Sequence, residues 1–395
     1  MTARLPNELL IKIIKDVALS QTDLLRLRSA DRKLRYLATP HAFRVLDVGY
    51  TPKSAKGLEN LLDSQAVAQY VEEILCEDTD EDTRKFKYEP DSDDEVIFTA
   101  YSNALSALHR FPNLHSLSFD FFVVHLDEDE WEMGPASAYQ QFQRTVLEAL
   151  SRSPRPHPSF KSLTIEGILP HIHAVYADPA FTAFIGSLHH LRWFVLVDGD
   201  DGIYEHALVF QDYWNTVSTR VLRPAVLLRS LSLGAGDIVG GMPSVDLGPV
   251  HCPHLESISL TNVQFDPDDR VHGTEDFIMR HKDTLTKLEL NRCAIEDVED
   301  GFSVPIWADV WDRFARELGK LRELKVRFDE PELDHSERDD PQMRYIVYDV
   351  YQYVPLDRDL DGEERDRPAL EALEELVRTR AEAGNGHDVG KLGDK

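Results

Sequence analysis

Leu255-Glu256-Ser257-Ile258-Ser259-Leu260 and Leu285-Thr286-Lys287-Leu288-Glu289-Leu290 carry one template, apolar at the first, fourth and sixth positions. The template also begins at Phe43, Val71, Leu114, Phe160, Leu191, Leu228 and Leu321, and in weaker form at Met343. Side chains of an extended chain alternate between two faces, so the fourth and sixth residues point the same way. Each copy therefore reads as a short strand with an apolar underside. Between the copies lie segments of helical periodicity: Tyr101–Arg110, Ala138–Ser151, Phe181–His190, Trp214–Leu222, Glu275–His281 and Trp307–Leu318. One strand and one helix, returning every 20–45 residues or so, predict an α/β chain built as an irregular αβ solenoid with a parallel sheet. A doubly wound α/β enzyme also alternates strands with helices. Against that stand the recurrence of one template and the lack of a Gly-rich phosphate loop.

In this frame the third, fifth and seventh residues face the open, concave side of the sheet. The candidate target-binding residues are Ser162 and Thr164, Trp193 and Val195, Ser230 and Ser232, Ser257 and Ser259, and Lys287 and Glu289. Small hydroxyl side chains let a ligand approach closely, although Ser and Thr also suit any exposed strand face. Trp193 is the expected anchor, because aromatic residues are enriched among binding hot spots.

The first 50 residues differ from the rest. They hold nine Lys/Arg against five Asp/Glu, whereas the whole chain has a net charge of −28. Pro6 suits the first turn of a helix, and Leu9, Leu10, Ile13 and Ile14 recur at helical spacing. The N-cap types Ser20, Thr22 and Asp23 restart a helix whose stripe is Leu24, Leu27, Ala30, Leu34 and Leu37, with a bend expected near Ser29. Thr39-Pro40 is expected to end it. So small a module has too little core to stand alone and needs a partner or a neighbouring domain.

These blocks resemble an F-box. The resemblance rests on Leu5-Pro6-Asn7-Glu8-Leu9-Leu10 with Ile13-Ile14, on Asp23 to Arg28, on Arg32-x-Leu34-Arg35-x-Leu37-Ala38-Thr39-Pro40, and on Phe43-Arg44-x-Leu46. Asp31 and Leu34 depart from it, standing where many members have an apolar or Cys residue and a Trp. The later template copies resemble the divergent leucine-rich repeats that accompany F-boxes in fungal proteins. The resemblance implies an N-terminal helical F-box (1–48), a leucine-rich-repeat-like αβ solenoid (49–355) and a C-terminal helix and tail (356–395). It also implies the substrate-recognition subunit of an SCF-type cullin-RING ubiquitin ligase, a non-catalytic receptor. Leu5, Pro6, Leu9, Leu10, Ile13, Leu24, Leu27 and Leu34 would dock on a Skp-family adaptor, and through it on a cullin. Arg28, Arg32 and Arg35 would steer that acidic adaptor. The repeats would hold a target protein, and the chain would act as a monomer within the hetero-complex. The alternatives are a non-catalytic repeat scaffold without ligase association, and an α/β enzyme with the helices as an accessory.

Composition bounds the remaining possibilities. A charge of −28 disfavours nonspecific binding to nucleic acid or anionic membrane. Cys76, Cys252 and Cys293 are far apart and lack C-x-x-C spacing, which suits a reducing compartment and argues against a zinc site. No secretory signal or apolar stretch of spanning length is read, so cytoplasm or nucleus is expected. His171-Ile172-His173 lacks a third metal ligand nearby, and Asp198 to Gly202 lacks the full spacing of a calcium loop. No cofactor is expected and no catalytic residue is nominated. Residues 77–95, with ten acids and three bases, are expected to form a flexible acidic insertion. Gly234–Gly248 and Asp329–Asp340 are expected to be loops, Arg152–Pro158 a stiff connection, and the final helix to run over 368–383 ahead of a disordered tail.

Overall fold

The computed structural model describes residues 5–16, 19–77, 91–121, 137–153, 159–196, 207–240, 244–265, 273–296, 306–328, 344–349, 352–356 and 360–385. The fold is mixed α/β, with a mostly parallel open sheet and helices, compatible with an αβ solenoid. The chain divides into two compact units.

The first unit comprises Met1–Val124, Met133–Ile165 and Asp178–Phe184. It opens with α1 (Asn7–Asp16), α2 (Gln21–Ala30) and α3 (Arg32–Ala42). Ile14, Leu24, Leu37, Ala38 and Ala42 form their core, with Leu10, Ile11, Leu19, Leu27 and Phe43 packed against it. Ser20 caps α2 by accepting the Asp23 N–H. The break between α2 and α3 falls at Asp31 rather than near Ser29. Asp31 is extended (φ −158°) and caps α3 by accepting the Leu34 N–H at 2.8 Å. Its extended backbone ends α2 and its carboxylate starts α3. Pro40 does not end α3, which continues to Ala42.

Next come β1 (Val45–Val48), α4 (Pro52–Asp63), α5 (Gln65–Ala68), β2 (Glu73–Cys76), α6 (Ser92–Ser106), β3 (Ser116–Asp120) and α7 (Ala138–Arg152). The part of β4 (Ser162–Ile168) up to Ile165 and the part of α8 (Pro179–Ile185) up to Phe184 complete the unit. β1, β2 and β3 pair in parallel with template positions aligned, so Leu46, Ile74 and Leu117 form one buried row. Tyr50, Tyr101 and Phe142 then join sheet to helices, with the Phe142 ring edge-on 5.2 Å from each tyrosine ring. The last residues of the expected acidic insertion are helical instead. Asp91 and Asp94 make a reciprocal capping box, and Asp93, Asp94 and Glu95 lie in the first turn of α6. Acids are favoured there by the positive end of the helix dipole. Residues 78–90 of that run lie outside the described residues.

The second unit comprises His125–Glu132, Glu166–Ala177 and Ile185–Lys395. It contains β5 (His190–Val195), α9 (Ala207–Thr216, continuing as a π-turn over Val217–Leu222), β6 (Ser230–Val239) and β7 (Ser257–Phe265). After these come α10 (Thr274–Arg280), β8 (Lys287–Asn291), β9 (Ala294–Glu296), α11 (Trp307–Glu317) and β10 (Glu323–Arg327). The chain ends with β11 (Tyr345–Asp349), β12 (Gln352–Pro355) and α12 (Asp366–Asn385), the last found where 368–383 was expected to be helical. The order β5-β6-β7-β8-β10 is parallel throughout, and Leu191, Leu231, Ile258, Leu288 and Leu324 stand in one row. β9 pairs in parallel with β7 and β11, and β12 pairs antiparallel with β11.

One template frame is wrong. Leu191 aligns with Leu231, the fourth residue of its copy, and Trp193 aligns with Leu233, the sixth. The copy therefore begins at Leu188, and the helix expected over 181–190 is shorter because His190 opens β5. Trp193 and Val195 are fully buried and belong to the core, not to the open face. Arg192 and Phe194 take the places assigned to them. Gly234–Val239 is strand, not the expected turn-rich loop. At Gly234 a Cβ would lie 2.8 Å from Thr261 Cβ and 3.2 Å from the Phe194 ring, so only glycine lets these side chains close over β6. At the eighth template residue Asn262 (φ 53°), inside β7, and Arg292 (φ 49°), just after β8, are left-handed, so the chain bends there between its pairing partners. Asn262 Nδ2 donates to the Ala235 and Gly236 carbonyls at 2.8 and 3.0 Å. Cys293 and Val263 follow at the ninth position, both buried.

Candidate docking surfaces

The helical module leaves a row of apolar side chains in solvent. Leu9 and Ile13 lie one turn apart on α1, and Leu5 lies in the segment that leads into it. They are 46–48% exposed although the module has its own closed core. Lys33 Nζ donates to the Leu5 carbonyl at 3.1 Å and ties this end of the row to α3. Pro6 is exposed, Leu10, Leu27 and Leu34 are half-buried, and Leu24 is inside the core. Of the expected docking residues, Leu5, Pro6, Leu9 and Ile13 are therefore the ones open to solvent, while Leu24 holds the module together.

The arginines divide in the same way. Arg28 Nε donates to Thr39 Oγ1 at 3.0 Å, and its guanidinium stacks 4.5 Å over the Phe43 ring. Arg35 Nε donates to the Arg28 carbonyl at 3.3 Å. Both brace α2 against α3. Arg32 is exposed and makes no hydrogen bond or ion pair among the described residues.

The second surface is the open face of the strands. The expected alternation appears at Ser162, Thr164, Ser230, Ser232, Ser257, Ser259, Lys287 and Glu289, each partly exposed and followed by a buried residue. In the second unit this face is crossed by ion pairs: Arg192–Glu166 at 2.6 Å, Arg229–Glu256 at 3.2 Å, Lys287–Glu323 at 2.9 Å and Lys325–Glu323 at 3.3 Å. A shallow groove of about 460 Å3 runs over the start of these strands, floored by Ser230, Ser257 and Thr286 and edged by His190, Arg229, Glu256, Lys287, Arg322 and Glu323. Arg229, Glu256, Thr286 and Arg322 are second template residues, which a reading of the third, fifth and seventh positions passes over. Their signal was present in the sequence as the polar residue that follows each leading leucine.

The groups with chemical potential lie elsewhere and are engaged in structure. Cys76, Cys252 and Cys293 are unpaired thiols, all buried. Burial pushes Cys252 up to about 11 and Cys293 up to about 12, so neither is a thiolate near neutrality. His173 is buried and its ring lies 5.2 Å from that of His171. Among the described residues no three His, Cys, Asp or Glu side chains are grouped to hold a metal, and no helix is long and apolar enough to cross a membrane. Asp198 to Gly202, Asp329–Asp340, residues 154–158 of the expected stiff connection and residues 386–395 of the C-terminal tail lie outside the described residues. No protein-family model matches the chain, and no curated protein matches it.

Proposed function

We propose that this chain is a non-catalytic receptor that docks on a Skp-family adaptor through its N-terminal helices and holds a target protein on the open face of its strands. On this reading it is the substrate-recognition subunit of an SCF-type cullin-RING ubiquitin ligase. The repeats are leucine-rich-repeat-like: Leu285 to Cys293 follows L-x-x-L-x-L-x-x-C, with Cys293 Sγ 3.6 Å from the Leu260 carbonyl of the preceding strand. The observation that carries the reading is the row Leu5, Leu9 and Ile13, which stays exposed on a module whose own core is complete. Three large apolar side chains aligned in water mark an interaction surface. The receptor raises the effective concentration of target lysines beside the conjugating machinery and performs no bond chemistry itself.

The test is co-purification of the tagged chain with a recombinant Skp-family adaptor. The intact chain recovers the adaptor. Leu5→Ala with Pro6→Ala lowers recovery while circular dichroism is unchanged, because both residues are exposed. Full recovery by the altered chain refutes the docking assignment.

A further inference from the structure

The groove on the second unit lies across the strands, from His190 on β5 to Arg322 on β10. Four strand spacings of about 4.8 Å make it about 19 Å long, the span of about six extended residues. Its backbone groups are already used between neighbouring strands, so recognition falls to side chains. Both acids of the groove are matched inside it, Glu256 by Arg229 and Glu323 by Lys287. Arg322 and His190 are exposed, stand at opposite ends and have no ion-pair partner among the described residues. Three permanent cations thus face two acids, in a chain whose net charge is −28. Exposed ion pairs exchange readily, so Arg229 and Lys287 can turn to an incoming anion. Next to the groove, Glu289 on β8 is offset by Lys325 on β10, and acids farther than about 8 Å are screened at physiological salt, so the cation excess of the groove decides.

We propose that this groove holds an extended, acidic peptide segment of the partner protein. One carboxylate meets Arg322 and another, about four residues away across three strand spacings, meets Arg229 beside His190. This rests on the reading that the open face grips a target, and it names the chemistry of that target.

The probe is a fluorescein-labelled peptide of alternating Glu and Ser, compared with its Lys–Ser counterpart by fluorescence anisotropy on the full chain. The Glu–Ser peptide binds at least about tenfold more tightly, and added sodium chloride weakens it, as local attraction requires. Arg229→Glu with Arg322→Glu removes the preference, and Glu256→Gln with Glu323→Gln tightens binding severalfold. Leu9→Glu leaves peptide affinity unchanged. Equal binding of both peptides, binding of neither, or indifference to the double charge reversal overturns the proposal. Loss of the groove with adaptor recovery intact leaves the docking reading standing, and loss of adaptor recovery alone leaves the groove standing.

Discussion

His281 is a buried imidazole with both nitrogens committed. Its Nδ1–H donates to the Phe277 carbonyl at 2.7 Å, and its Nε2 accepts the Cys252 N–H at 3.1 Å. Only the neutral ring can do both. Burial lowers its pKa to about 4, and the neighbouring His251 and Arg280 push the same way. The unfolded side chain takes up its proton near 6.5. Between these values the unfolded state binds more protons, so this contribution is full above about pH 6.5 and is lost as pH falls towards 4. Urea unfolding at pH 7.5 and pH 5 should show about 2 kcal/mol of stability loss from this group. His281→Gln should be flatter over that interval, and an equal slope in both proteins would refute the assignment. Trp193 gives a second prediction at this scale. It is fully buried and its Nε1–H donates to Tyr213 Oη at 3.0 Å. Trp193→Ala should cost about 3–5 kcal/mol in urea unfolding, as loss of a core aromatic does. Little change in stability would return Trp193 to the surface.

At the scale of elements, α12 clamps α11 at both ends. Asp366 Oδ1 accepts the Ala308 N–H at 2.8 Å at the start of α11, and Oδ2 accepts the Tyr345 hydroxyl at 2.6 Å. Arg380 donates to the Ala315 and Leu318 carbonyls at 3.0 and 2.8 Å at its end. An acid thus meets the positive end of the helix and a cation the negative end. Asp366→Ala should cost about 2 kcal/mol, because it removes a cap and leaves a buried hydroxyl without its acceptor. Arg380→Ala should cost less, and thermal unfolding of both variants checks the order. How legible these elements were depended on how sharply polar and apolar residues alternate. Where they alternate, as in Leu255 to Leu260, the third template residue opens the observed strand. At Leu188 to Leu196 the residues after Arg192 are apolar without interruption, so two frames fit equally and only pairing with β6 decides between them. Acid-rich sequence misled in the same way. Asp91 to Glu95 has the composition of a loop, yet it suits a helix start. The groove was legible residue by residue but not as a site, because its edges come from strands far apart in sequence.

For the whole molecule the question is whether two different surfaces do two different jobs. The N-terminal module combines a closed core, an exposed apolar row and an excess of basic residues, in a chain that is otherwise strongly acidic. The open face of the second unit is polar, crossed by ion pairs, and lined along its groove by three permanent cations against two acids. A hydrophobic row suits a constant partner, and a polar trough suits selection among segments of differing charge. Calorimetric titration of the purified chain with a purified Skp-family adaptor tests this division most directly. A one-to-one complex is expected, which Leu9→Glu with Ile13→Glu weakens at least about a hundredfold, roughly 3 kcal/mol, while Arg229→Glu with Arg322→Glu leaves it unchanged. No heat from the intact chain, or equal affinity for the Leu9/Ile13 variant, would contradict it.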